Sequence, residues 1–180
     1  MNIRKTESPL KIASIHESGH ALVYHLLGET IDFIEILKDG GGFVKCNTYK
    51  PTYGTLESGA LSKRMERYGM ICLSGYCAEL KHSNKRLKGI LAINDGSLDN
   101  DIDTFRKEML NGNKILDKIH FDDLFFYLTQ TSTRKLIGRK KNWNAILELS
   151  QELMEAENNF MPGVRVHEIL NSYVQHGSYM

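Results

Sequence analysis

Two histidines four residues apart, with a glutamate directly after the first, constrain this chain more than any other feature. The segment is His16-Glu17-Ser18-Gly19-His20. Four residues make roughly one helical turn, so in a helix His16 and His20 project from one face. Two imidazoles placed this way can hold one zinc ion from the same side. Glu17 is rotated away from His16 and can reach a water at the metal without displacing it, which a general base requires.

The pattern carries this meaning only on a helix, and the flanking residues supply one. Ser8-Pro9 reads as a serine cap followed by proline at the first helical position. Leu10, Ala13, Ile15, Ala21, Leu22 and Leu26 give an apolar side, and Gly28 stops it, which predicts a helix over 9–27. Gly19 costs such a helix about 1 kcal/mol relative to alanine, a cost that close approach of another backbone can offset.

Downstream, 31–37 reads as a strand, Asp39 to Gly42 as a turn, and Phe43 to Thr48 as a second strand. Residues 49–56 read as a loop with Pro51 and Gly54. Helices are predicted over 57–81, from about 99 to 111, over 115–137 with a break near Asp122, over 142–159 and over 165–175. Residues 81–98 read as a polar loop. The fold class is therefore α+β, mostly helical, with a small strand pair in the N-terminal third and a helical bundle towards the C-terminus. One domain over 1–180 is expected, with 1–7 and 176–180 loosely held.

A catalytic zinc needs a third protein ligand and an open position. Spacing leaves Glu79, His82, Asp95, Asp99, Asp101, Asp103 and His120 all eligible. The acidic run 99–103 starts a helix, where the helix N-terminus relieves part of its self-repulsion and a metal would relieve more. Tyr76 and His82 are weaker candidates to donate to an oxyanion. The stretch 42–46, Gly42, Phe43, Val44, Lys45 and Cys46, is the candidate edge for holding an extended peptide by backbone hydrogen bonds.

Composition removes other classes. The 180 residues are 41% hydrophobic and 25% charged, with 23 basic against 22 acidic side chains and a net charge of +1. That balance lacks the basic excess of a nucleic-acid binder. No apolar run is long enough to span a bilayer, and the N-terminus lacks a signal-peptide stretch, so membrane insertion is not expected and a cytoplasmic location is. Cys46, Cys72 and Cys77 are an odd number without a CxxC pair and read as reduced, buried thiols.

Five segments, in order, resemble the peptidase domain of the FtsH family of ATP-dependent zinc metalloproteases. HESGHALV at 16–23 is similar to the family's HEAGHAxV zinc helix. The strand-turn-strand stretch after it matches in kind. LSGYCAEL at 73–80 resembles LGGRxAEE, DNDIDTF at 99–105 resembles SNDIxxAT, and 142–157 resembles a late leucine-rich helix. The resemblance implies a zincin-like fold and a zinc-dependent endopeptidase with metal-activated water. It makes His16, His20 and Asp101 the Zn2+ ligands and Glu17 the base, with Glu79 and Asn100 supporting them.

The departures also carry meaning. Gly75-Tyr76 stands where the family has Gly-Arg, and Thr104-Phe105 where it has Ala-Thr. The membrane helices and ATPase that usually precede the domain have no counterpart in these residues. The expectation is ATP-independent cleavage of peptides or unfolded segments, no ATP binding by this chain, and a possible homo-oligomer or separate partner protein. The alternative is a non-catalytic metal-binding or regulatory protein on the same scaffold, acting through protein binding.

Overall fold

The computed structural model describes residues 8–46, 58–84, 100–115 and 121–179. The expected loop at 49–56, the basic residues Lys85, Arg86 and Lys88, and the ligand candidates Asp95, Asp99 and His120 lie outside the described residues. The architecture is mostly helical α+β with one small antiparallel sheet. The chain divides into two compact units, Met1–Asn47 with Lys140–Met180, and Thr48–Arg139.

The first unit is built around helix α1, Pro9–Leu26. Its start follows the sequence: Ser8 caps it by accepting from the Lys11 N–H at 3.3 Å, and Pro9 occupies the first turn. From Ala13 to Leu26 every residue but Tyr24 is buried, so α1 is a core helix and not a surface one. Strand β1, Ile31–Ile36, and strand β2, Gly42–Cys46, form the expected hairpin. Strand β3, Phe160–Pro162, joins the other side of β1, giving the order β2-β1-β3.

This third strand was not legible as a strand. Three residues ending in Pro162 carry no alternation long enough to read, and the strand exists only because β1 offers a partner edge. Ile34 pairs with Val44 on one side and Met161 on the other, and these face inward. Phe33, Phe43 and Phe160 occupy the outer face, with ring centroids 5.6 and 5.2 Å apart.

Helices α5, Lys140–Glu155, and α6, Gly163–Asn171, complete this unit by packing with α1. Ala145, Ile146, Leu149 and Leu153 make the buried stripe of α5, and Lys11 donates to Ser150 Oγ at 3.2 Å. The helix expected over 142–159 ends earlier. Glu157–Asn159 is a short 3-10 turn, and Asn158 and Asn159 sit in the left-handed region with φ of 56° and 54°. Asparagine tolerates that conformation better than most residues and so ends a helix there.

The second unit holds α2, Ser58–His82, α3, Asn100–Ile115, and α4, Asp123–Gly138. Helix α2 packs against both others. Helix α3 runs past the expected stop at Gly112, because Asn113 brackets Phe121: its side chain donates to Phe121 O at 2.8 Å and accepts from Phe121 N–H at 2.6 Å. The break expected near Asp122 is a helix cap, with Asp122 accepting from the Phe125 N–H at 2.9 Å. Phe105 is fully buried, stacks on Phe126 at 5.7 Å, and lies where a side chain at Gly69 would collide with its ring. Gly69 on α2 thus makes room for the aromatic ring.

Candidate metal centre

Helix α1 carries out the geometry that its spacing implied. His16 and His20 present their Nε2 atoms to each other at 3.0 Å, with ring centroids 4.7 Å apart. Two histidine nitrogens on one tetrahedral zinc, each at about 2.0–2.1 Å, stand about 3.3 Å apart. The pair already has nearly that separation, so the donor chemistry fits a borderline transition-metal ion. His16, Glu17 and His20 are 9%, 6% and 7% exposed. Burial of two imidazoles and a carboxylate on a single turn is costly unless each group has polar or ionic company.

Glu17 is packed against β2. A β-carbon added to Gly42 would lie 2.8 Å from Glu17 Cγ, 3.0 Å from Glu17 Oε1 and 2.9 Å from Ile36 Cδ1. Gly42 therefore lets the sheet close onto the carboxylate, because no other residue leaves the space. Along β2 the side chains alternate: Phe43 and Lys45 are exposed, Gly42 and Val44 half-buried, and Cys46 buried. Within the sheet as described, β2 is an edge strand paired only with β1. The Cys46 thiol donates to Thr30 O at 3.1 Å. Burial, then Glu29 and Asp32, push its pKa up to about 11, so it remains a thiol at neutral pH.

The remaining sequence candidates belong to the second unit. Asp101 is half-buried in the first turn of α3. Asn100 opens that helix, and Asp103 is exposed. Glu79 and Tyr76 are half-buried on α2, and His82 is half-buried at its end. The chain thus carries histidine and aspartate donors of the kind that coordinate a divalent ion such as Zn2+: His16 and His20 in the first unit, Asp101 in the second.

Sequence reasoning passed over a second group altogether. His25, His167 and His176 come together inside the first unit. Only His25 lies near a motif, and it precedes His167 and His176 by 142 and 151 residues, so no local spacing ties it to them. No protein-family model matches the chain, and no curated protein matches it either. No described helix is long and apolar enough to cross a membrane.

Proposed function

We propose that this chain is a zinc-dependent endopeptidase acting on peptides or unstructured protein segments. The observation that carries the reading is one turn of α1, where His16 and His20 converge at 3.0 Å and Glu17 is held against Gly42. His16 and His20 would hold the ion. Asp101 is assigned as third ligand by the resemblance of Asn100-Asp101-Ile102 to the FtsH-family segment, and the scaffold is read as FtsH-peptidase-like on the same basis. Zinc, when bound, supplies a Lewis acid and lowers the pKa of a coordinated water.

The chain's own residues supply the rest. Glu17 takes a proton as water attacks the scissile carbonyl and returns it to the leaving amine. Its packing against Gly42 fixes the carboxylate beside an edge strand. An extended substrate adds to that edge by backbone hydrogen bonds, with Phe43 and Lys45 exposed beside it.

Metal binding needs only the donors, whereas turnover depends on Glu17 as well. The narrower alternative is therefore a metal-binding protein without turnover, acting through protein contacts, and the donors alone suffice for it. Cleavage of an unstructured fluorogenic peptide, lost in Glu17→Gln with zinc content unchanged, supports the peptidase. A wild-type protein that holds zinc and cleaves no such peptide overturns it and leaves the alternative.

A further inference from the structure

The C-terminal end of the first unit hooks back onto α1. Gly177 N–H donates to His25 O and Tyr179 N–H to Leu26 O, both at 2.9 Å. This hook delivers His176 beside His25 in the last turn of α1 and His167 on α6. The three rings form a nearly equilateral triangle, with centroids 5.1, 5.1 and 5.2 Å apart. One nitrogen of each lies within 4.8 Å of the other two. Three imidazoles sharing one tetrahedral ion at about 2.0–2.1 Å would place their centroids about 5 Å apart.

We propose that His25, His167 and His176 form a second metal site, which takes Zn2+ or a similar borderline transition-metal ion and clamps the C-terminal hook to α1. The donors are neutral nitrogens without carboxylate or thiolate, which disfavours Mg2+ and Ca2+. Five residues separate His20 from His25, or about 7.5 Å along the helix and about 140° around it, so the two sites use different faces of α1.

The outer hydrogen bonds are those of metal-ligating histidines. His25 Nε2–H donates to Val174 O, and His176 Nε2–H donates to Glu29 O, each at 3.2 Å. Backbone carbonyls only accept, so both rings keep Nδ1 as a lone pair, and such partners orient ligand imidazoles. Ile31 N–H donates to His167 Nε2 at 3.2 Å, which leaves the His167 proton on Nδ1, shared with His25 Nδ1 at 2.8 Å. An ion takes the place of that proton, which passes to Nε2 as the Ile31 contact opens. The proton stays on His167, so no net proton is gained or lost in that exchange.

The test is Zn2+ titration of the metal-free full-length chain by calorimetry, with Co2+ absorption reporting nitrogen coordination. His176 is exposed on a turn, so His176→Gln is expected to fold, and His167→Gln repeats the test from α6. Two ions in wild type falling to one in His176→Gln is the expected result. One ion falling to none also supports the clamp, while showing that the His16–His20 site fails. Equal binding by wild type and both variants overturns the clamp, whatever becomes of the peptidase. In a His16→Ala/His20→Ala protein, saturating Zn2+ is expected to raise the melting temperature by several degrees. No shift there also overturns it.

Discussion

Glu17 and Gly42 are in contact across the helix–sheet interface of the first unit, with the carboxylate occupying the space a side chain at Gly42 would need. The Glu17 carboxylate is therefore held by the strand as well as by its own helix. Any β-carbon at position 42 must displace Glu17, Ile36, or both.

Gly42→Ala is thus expected to lower kcat for peptide cleavage by roughly 10-fold to 100-fold, a fraction of the contribution of a positioned general base. Zinc content should be unchanged, because the histidine donors are left intact and the atoms nearest the added carbon belong to Glu17 and Ile36. Steady-state kinetics with parallel metal analysis checks this. Activity within twofold of wild type would show that Glu17 does not depend on the strand for its position.

Chelation should abolish cleavage, and added Zn2+ should restore it. Mg2+ should not, because nitrogen donors such as His16 and His20 match it poorly. A protein still fully active after exhaustive chelation would remove the metal from the reaction.

Phe43 is 40% exposed on the edge strand, next in sequence to the Gly42 that packs on Glu17. Phe43→Ser removes apolar contact area from the proposed peptide edge and little from the core. The expected outcome is a several-fold rise in KM with a stability loss of about 1 kcal/mol from the lost Phe33 contact. An unchanged KM across peptides of different sequence would place the substrate elsewhere.

Phe105→Ala should destabilise the second unit by about 3–5 kcal/mol, since the ring is fully buried, stacks on Phe126 and fills the space left by Gly69. Denaturant unfolding reads this directly. A loss under 1 kcal/mol would mean that the neighbouring helices close over the cavity.

Cys77 is 2% exposed, and burial raises its thiol pKa to about 12, partly opposed by Arg134. The ordinary value in the unfolded chain is near 9. The native state therefore holds the proton more tightly, and this contribution to stability is complete below pH 9 and lost as pH rises from 9 towards 12. Alkylation of Cys77 at pH 8 should be slow in the native protein and fast after unfolding. Rapid native-state labelling at that position would contradict the burial.

The sequence read most surely where structure is local. Ser8-Pro9 and the apolar spacing placed α1 to within a residue of its observed ends, and the HExxH spacing placed two imidazoles on one face. The hairpin was legible because Asp39 to Gly42 is turn chemistry between two runs of β-formers. Strand β3 was not legible, because Phe160–Pro162 becomes a strand only through pairing with β1, encoded some 125 residues earlier.

What the sequence by itself determined is the His16–Glu17–His20 turn, since a helical period fixes directions within one segment. What only the tertiary structure decided is what surrounds that turn and what else the helix holds. Gly42 reads as one more turn glycine until the hairpin folds onto Glu17. His25, His167 and His176 read as three unrelated residues until α6 and the C-terminal hook close against α1. Contacts between segments distant in the chain depend on packing, and packing leaves no period to read.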